Sequence, residues 1–283
     1  MTIDLEHLQT WVNKTEIAQD RIGATPIKAL AHTFNNDAES IVAAPLRPLW
    51  HWLYFLPLSP LAEAGADGHP ARGGFLPPVD LPRRMWAASK VQFLNPIHTE
   101  DDVERVSTVK SVEHKKGRSG ELVFVRVLHE VSAKGIPSIR EEQTIVYREA
   151  PEPGAAQPAG TPAPTDAQWS RKVTPDAVLL FRYSALTFNS HRIHYDYPYT
   201  TEVEGYPGLV VHGPMIATLL LDLLHEHLPE ATVTAYEFKA MSPLFHHQSF
   251  SINGRYDEAS KQVHLWATNA DGHLAMQAQA TIA

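Results

Sequence analysis

The segment Gly213–Leu228 reads GPMIATLLLDLLHEHL and decides the predicted fold. Its first three turns are apolar nearly all round, with Asp222 as the one interruption. A helix that is apolar on every face is buried in a protein core. Two segments rich in β-branched and aromatic residues, Glu121–Val131 and Arg140–Glu149, predict strands, and residues 270–272 predict the turn of a closing hairpin. The sequence therefore predicts a buried helix wrapped by an antiparallel sheet.

The two halves of the chain resemble each other faintly. Ala24–Asp37 (ATPIKALAHTFNND) and Val173–His191 (VTPDAVLLFRYSALTFNSH) share an early Thr-Pro and a later Thr-Phe-Asn, and Lys90–Val112 parallels Ala235–Tyr256. The counterpart of the buried helix in the first half is then PLRPLWHWLYFL, Pro45–Leu56. A helix enclosed by an antiparallel sheet is a hot-dog arrangement, so two copies predict an α+β double hot dog, with two antiparallel sheets each wrapped around a central helix.

A proline-rich segment divides the chain. Glu149–Gln168 contains five of the 22 prolines together with small and polar residues, which is typical of a semi-extended linker that forms neither helix nor ladder. The predicted division is an N-terminal domain over 1–150, a linker over 151–164 and a C-terminal domain over 165–283.

Composition excludes several classes of function. The net charge of -8 disfavours a nucleic-acid partner, because phosphate binding requires a basic surface. The chain contains no cysteine, which excludes thiolate nucleophiles, disulfides and Cys-ligated zinc. The amino terminus lacks the basic and apolar pattern of a signal peptide, and no apolar run approaches the roughly 18 residues of a membrane span. These observations favour a cytoplasmic protein without membrane contact.

The motif LTFNSHRIHYD, Leu186–Asp196, carries the candidate chemistry. His191 and His194 stand three residues apart, as two metal ligands on one helical face can. However, Arg192 between them would place a positive charge beside the metal, so no metal is expected. The third ligand of such a site would be one of His212, Asp196 and Glu204. The alternative is a polar loop whose histidines are solvated and neither bind a metal nor take part in catalysis.

An acid–base site is the third interpretation. A predicted helix, Ala177–Thr187, leads into the motif, and the apolar run GLVVHGPM breaks at His212 and Gly213 before the buried helix. The free N–H groups at a helix start suit a developing oxyanion, and the predicted helix start here consists of His212, Gly213 and Pro214. A titratable histidine beside such a helix start has the makings of an acid–base centre.

The combination YSALTFNSHRIHYD…YPGLVVHGPMIATLLLDLL resembles the MaoC-like, R-specific enoyl-thioester hydratases and dehydratases. The resemblance is strongest to the branch of 3-hydroxyacyl-thioester dehydratase type 2, mesaconyl-C4-CoA (3-methylfumaryl-CoA) hydratase and itaconyl-CoA hydratase. Asn95–Val131 is similar to the degenerate N-terminal hot dog of that branch. The resemblance implies a hydro-lyase that takes an acyl-CoA thioester as substrate and needs no cofactor.

The resemblance also assigns roles within the motif. The catalytic histidine of the family corresponds to His194, and the aspartate five residues earlier is Asn189 here, as is usual in this branch. An amide cannot take up a proton at neutral pH, so His194 would carry the proton transfer and Asn189 would orient the water. His191 would shape the loop. The first half has Asn35 but no histidine matching His194, which predicts an inactive domain that forms a wall of the pocket.

Three functions stay open at this point. A hydratase for a short, branched, dicarboxylic enoyl-CoA, converted to a hydroxyacyl-CoA such as citramalyl-CoA, needs a cation for the free carboxylate. An (R)-3-hydroxyacyl-thioester dehydratase of fatty-acid metabolism needs a long apolar tunnel, and a non-catalytic thioester-binding protein needs neither. The resemblance favours the first. The candidate substrate-binding residues are Arg192, His191, Tyr195, Arg83, Arg84 and Arg118. Monomer and homodimer are both compatible with the sequence.

Overall fold

A single antiparallel sheet of ten strands organises the computed structural model, which describes residues 3–117, 120–150 and 160–283. The strands are β1 (Thr15–Arg21), β2 (Arg83–Phe93), β3 (Asp102–Gly117), β4 (Gly120–Ala133), β5 (Ile136–Arg148), β6 (Trp169–Val173), β7 (Val233–Ala240), β8 (Phe250–Asp257), β9 (Gln262–Thr268) and β10 (Leu274–Ile282). The α-helices are α1 (Leu5–Gln9), α2 (Ala24–Thr33), α3 (Ala38–Ala43), α4 (Ala177–Leu186) and α5 (Gly213–His227). Short 3-10 helices span Trp50–Leu53, Leu61–Glu63 and Arg192–His194, and a π-helical turn spans Tyr199–Val203.

The strand order repeats between the two halves. The sheet runs β1-β3-β4-β5-β2-β7-β10-β9-β8-β6, so each half has the same order, read inward from its outer edge to the centre of the sheet. The halves meet where β2 pairs with β7, from Ala88 opposite Lys239 to Gln92 opposite Ala235. The α+β double hot dog is confirmed, but the prediction of two separate sheets is wrong. Joining β2 to β7 removes two unpaired strand edges, which explains the continuous sheet.

Helix α5 is the central helix of the second half, as its composition predicts. Every residue from Met215 to Leu224 is buried, and the helix packs against β6, β8, β9 and β10. Asp222 accepts hydrogen bonds from Asn36 Nδ2 at 2.9 Å, Arg47 Nη1 at 3.0 Å and Arg171 Nη2 at 3.2 Å. The one charged residue among these buried positions is therefore an ion-pair centre that joins the two halves.

Among its described residues, the first half has no equivalent helix. The prediction of a helix over Pro45–Leu56 is wrong, because only Trp50–Leu53 is helical and it forms one 3-10 turn. Pro48 disfavours the helical conformation of the residue before it, and Leu49 and Phe55, which flank the turn, have positive φ values of 69° and 54°. The first half of the sheet therefore wraps around packed side chains.

The predicted linker is partly outside the described residues, since 151–159 are not described. At its C-terminal end, Pro162 forms an isolated bridge with His273, so this end is paired although the sequence predicts no ladder there. The limits of the two domains stay a prediction. Among the helices of the described ranges, none combines the length and apolar character that crossing a bilayer requires.

Candidate active site

The motif Leu186–Asp196 forms a tight connection after α4. Asp176 caps that helix by accepting from Leu179 N at 2.7 Å. Phe188 then adopts a positive φ of 48°, which turns the chain so that Asn189 N donates to Ser184 O at 2.8 Å. The turn leads directly into the 3-10 helix that ends at His194. The local hydrogen bonds therefore fix the motif residues on a compact loop.

His194 is buried, with 7% of its surface exposed, and its tautomer follows from its contact. Its Nδ1 lies 2.7 Å from Val210 O, and a carbonyl oxygen only accepts, so Nδ1 carries the proton and Nε2 keeps a lone pair. Burial lowers the pKa of His194 to about 4, the charge of His69 acts in the same direction, and the Val210 hydrogen bond opposes both. At neutral pH His194 is therefore an uncharged ring with a proton-accepting Nε2.

His212, the residue before α5, packs on His194. The two rings are stacked with centroids 3.7 Å apart and an interplanar angle of 18°. His212 Nε2 lies 2.8 Å from Ser184 Oγ, whereas its buried Nδ1 has no partner within the described chain. Burial lowers the pKa of His212 well below its ordinary value, reinforced by the charges of His194 and His191. The stack therefore consists of two neutral rings.

The N-terminus of α5 lies beside this stack. His212 is its N-cap residue, Gly213 begins the helix and Pro214 follows, and no side chain caps the N–H groups. A Cβ built on Gly213 would find only Trp86 O, at 4.0 Å, so the space beside the helix start is open. The structure thus brings the predicted oxyanion residues together with His194.

Asn189 has one half of its amide engaged. Its Oδ1 accepts from His191 N at 3.1 Å, which fixes the orientation of the amide. Nδ2 makes no hydrogen bond within the part of the chain that is described. The Nδ2 group of Asn189 therefore remains available as a hydrogen-bond donor.

The candidate arginines differ in how far they are engaged. Arg192 donates to Asp196 Oδ2 from Nε at 2.9 Å and from Nη2 at 2.7 Å, and to Ala66 O from Nη1 at 2.9 Å. Arg83 is paired with Glu204, at 3.3 Å between Nε and Oε2. Both guanidinium groups hold the local structure together, so they are weak candidates for binding a substrate carboxylate.

Arg84 differs from these two. No carboxylate of the described residues lies within ion-pair distance of it. Its positive charge contributes to lowering the pKa of both His69 and His191. Burial, together with the charges of His69, His194 and Arg84, lowers the pKa of His191 to about 2 against the opposing charge of Asp67. Arg84 therefore provides uncompensated positive charge beside the motif.

Tyr195, another candidate, contributes mainly to the loop itself. Tyr195 is 46% exposed and its hydroxyl donates to Ser190 O at 3.0 Å, which stabilises the loop. Arg118 lies outside the described residues.

The structure adds two residues that the sequence did not identify, Asp67 and His69. Asp67 Oδ2 lies 3.0 Å from His69 Nδ1, and Asp67 Oδ1 accepts from His69 N at 3.0 Å. The His69 ring is 4.1 Å from that of His191, which in turn is 5.5 Å from the ring of His194. The segment around Asp67, GADGHPARGG, has the composition of a turn, and nothing in it signals contact with a motif more than 100 residues later.

Asp67, His69 and His191 also have the composition of a metal site. Their ligand atoms lie within 4.8 Å of one another. Burial and then the charges of Arg84 and Arg72 lower the pKa of His69, against the opposing effect of Asp67. The same positive charges repel a metal cation, so the cluster suits an anionic ligand better.

Comparisons with known proteins agree with this description. The family model for hydroxyacyl-thioester dehydratase type 2 matches residues 49–246. Mesaconyl-C(4)-CoA hydratase of Chloroflexus aurantiacus is 43% identical over 272 residues, which is 95% of each chain. The mitochondrial hydroxyacyl-thioester dehydratase type 2 of Schizosaccharomyces pombe is 30% identical over 233 residues, 73% of this chain and 77% of the relative.

Solved structures support the fold. HtdX from Mycobacterium tuberculosis has a TM-score of 0.67 at 14% identity, covering 94% of this chain and 98% of its own. A MaoC-like dehydratase from Phytophthora capsici has a TM-score of 0.65 at 13% identity, covering 99% of both chains. The branch predicted from the motif is confirmed: the chain belongs to the hydroxyacyl-thioester dehydratase type 2 family and is a hydro-lyase.

Proposed function

We propose that the enzyme reversibly hydrates the CoA thioester of a short, branched, dicarboxylic enoyl acid, such as itaconyl-CoA or mesaconyl-C4-CoA, to a hydroxyacyl-CoA such as citramalyl-CoA. The observation that carries the proposal is the neutral His194. Its Nε2 forms no hydrogen bond with any described residue, and it lies beside the start of α5, which no described side chain caps. The choice of substrate is supported by the hydratase relative at 43% identity, which is named for such a thioester.

His194 acts as the general base in this mechanism. Its Nε2 takes a proton from water, and the water oxygen forms a bond to the β-carbon. The low pKa keeps the ring in its proton-accepting form at neutral pH. Asn189 Nδ2 donates to the water oxygen and so directs its free lone pair toward the substrate. A positioned base of this kind contributes about 10²–10⁴-fold to the rate.

The start of α5 stabilises the negative charge that develops. As the water oxygen adds, the π electrons move toward the α-carbon and the thioester oxygen. The N–H of Gly213 and the partial positive charge of the helix terminus stabilise that oxygen, and such a donor contributes about 10²–10³-fold. In the simplest form, protonated His194 then returns its proton to the α-carbon. This sequence uses proton transfer and hydrogen bonds alone, so we propose that no cofactor or metal takes part.

Arg84 binds the free carboxylate of the substrate in this proposal. It is the described candidate arginine without an ion-pair partner, and its charge reaches the motif through His191. Arginine suits this role because its planar fork can hold a carboxylate with two hydrogen bonds.

Dehydration of a linear hydroxyacyl thioester is the alternative function. The matching family model and the Schizosaccharomyces pombe relative are both named for dehydration of hydroxyacyl thioesters. The same catalytic groups would serve that reaction, with a linear acyl chain in place of the dicarboxylate.

The test is a substrate panel. We expect purified enzyme to hydrate mesaconyl-C4-CoA and itaconyl-CoA, measured by the loss of enoyl-thioester absorbance, and His194→Ala to be folded and inactive. Activity confined to linear long-chain enoyl-CoA would replace the proposed substrate with the fatty-acid alternative. Inactivity toward every thioester would contradict the proposed reaction, as would near-normal rates for His194→Ala.

A further inference from the structure

The Asp67–His69 pair belongs to the half of the chain that the motif comparison predicts to be inactive. We infer that His69, held by Asp67, is a second proton-transfer residue, which protonates the α-carbon while His194 activates the water. This inference rests on the proposed hydration and assigns one catalytic residue to each half of the chain.

The loop over residues 64–70 is held firmly against the motif. Arg192 N donates to Asp67 O at 2.9 Å, Arg192 Nη1 donates to Ala66 O at 2.9 Å, and the hydroxyl of Ser190 donates to Gly68 O. The loop is itself closed by a bridge between Ala64 and Pro70. Its position relative to the motif is therefore set by hydrogen bonds from Ser190 and Arg192 to its backbone oxygens, and none of these bonds involves a histidine side chain.

The rings of three histidines connect the two proton-transfer residues. His191 lies between His69 and His194, with ring-centroid distances of 4.1 Å and 5.5 Å. The His69 side chain is 22% exposed, so it is within reach of both solvent and a ligand in the site. His69 and His194 therefore border the same region from opposite halves of the chain.

Asp67 fixes the chemistry of His69. A carboxylate only accepts, so the proton of neutral His69 is on Nδ1, toward Asp67, and Nε2 is the exchangeable position. Although burial raises the pKa of Asp67, its bonds to His69 outweigh burial and hold that pKa well below its usual range. The resulting negative charge stabilises the imidazolium of His69, whereas His194 has a neutral carbonyl as partner. Of the two rings, His69 therefore holds a proton more readily.

The proposed steps balance when the two histidines, His69 and His194, together carry one proton beyond their neutral forms. Hydration begins from the fraction of the enzyme in which His69 carries that proton and His194 is neutral, a fraction that the burial of His69 keeps small at neutral pH. His194 Nε2 takes a proton from water, the oxygen–β-carbon bond forms, and the π electrons move toward the α-carbon. The α-carbon takes the proton from His69 Nε2, which leaves His69 neutral and His194 charged. Return of one proton from His194 to His69, through solvent or His191, restores the starting state.

The Asp67–His69 pair also supplies an acid–base group that the motif of this chain lacks. In the wider family the motif has an aspartate where this chain has Asn189, and an amide neither takes nor gives a proton. A carboxylate–imidazole pair from the other half restores the second acid–base group.

The test is His69→Asn, in which the amide Nδ2 retains the hydrogen bond to Asp67 and Nε2 is removed. We expect kcat for mesaconyl-C4-CoA and crotonyl-CoA to fall about 10²–10³-fold, with a smaller change in KM. We also expect a larger solvent deuterium isotope effect, because α-carbon protonation becomes rate-limiting. A structural role would not change the isotope effect. His98→Asn is the matched control, since His98 also lies beside an aspartate, Asp101, at 3.9 Å, but is half-exposed.

Asp67→Asn keeps one acceptor oxygen toward His69 and removes the charge, so it decides the question if His69→Asn does not fold. We expect it to lower kcat and to raise the isotope effect as well. Unchanged kcat in His69→Asn, with His194→Ala inactive, would overturn the role of His69 and leave the proposed function intact. A loss for mesaconyl-C4-CoA but not for crotonyl-CoA would make His69 a carboxylate-binding residue and also overturn it. A wild-type enzyme inactive toward every thioester would overturn both proposals.

Discussion

Gly68 is the position where the loop over residues 64–70 approaches the motif most closely, and Gly68→Ala tests whether this contact sets the active-site geometry. A Cβ at residue 68 would lie 2.0 Å from Ser190 O, about 1.4 Å short of an ordinary contact of 3.4 Å. Ser190 lies between Asn189 and His191, so the chain that must move carries the proposed site. A displacement of roughly 1 Å in an active site costs about 10²-fold in rate, and we expect that loss in kcat.

Gly135→Ala is the matched control for this substitution. Gly135 has a φ of +78°, close to the +87° of Gly68, but a Cβ there meets nothing within 4 Å. Both variants incur about 1–2 kcal/mol for an alanine in the left-handed region, so the difference between them isolates the contact with Ser190. The assay is kcat for hydration of mesaconyl-C4-CoA, with circular dichroism to confirm folding. Equal kcat values for two folded variants would refute the reasoning.

Three further predictions concern stability, pH and substrate choice. Asp222→Ala should lower the free energy of unfolding by about 3 kcal/mol, because it leaves the partly buried Arg47 without its ion-pair partner. Glu226→Gln, at the exposed ion pair with Arg171, should change that free energy little. Urea denaturation measures both effects. Because the native pKa of His194 is about 4 and its ordinary value is 6.5, the neutral ring contributes stability above pH 6.5 that is lost toward pH 4. The acid limb of kcat/KM should therefore lie near pH 4. A pH–rate profile with its acid limb near 6.5 would contradict this. Arg84→Gln should raise KM for mesaconyl-C4-CoA about tenfold or more and leave crotonyl-CoA unaffected, and equal effects on both would exclude Arg84 as the carboxylate ligand.

The elements that the sequence predicted well are those set by local pattern. The apolar run of α5 has one outcome in a folded protein, which is burial, and the helix forms as expected. The failure at Pro45–Leu56 is also local in origin, because composition indicated a core segment whereas Pro48 and the left-handed Leu49 prevent a regular helix. Hydrophobicity specified where that segment lies, and backbone sterics specified its conformation.

Local sequence patterns do not specify contacts between segments that are far apart in the chain. The stack of His212 on His194 joins two residues that are 18 positions apart in the sequence, although each was separately a candidate. Asp67 and His69 lie in a turn-like segment with no periodicity, so the sequence gives no reason to place them beside His191. The pairing of β2 with β7 is likewise a register choice between two strands of similar composition.

That pairing has a consequence for dissecting the enzyme. The five residue pairs between Ala88–Gln92 and Ala235–Lys239 lie in the middle of the sheet, so cutting the chain at the linker would expose two long interior edges that invite aggregation. A fragment that begins after the linker would retain His194, α5 and Arg171. It would lose Asn36 and Arg47, two of the three partners of Asp222, and the loop that carries His69. We therefore expect that neither half is stable alone, because each would lose half of a shared sheet and its part of a shared ion-pair centre.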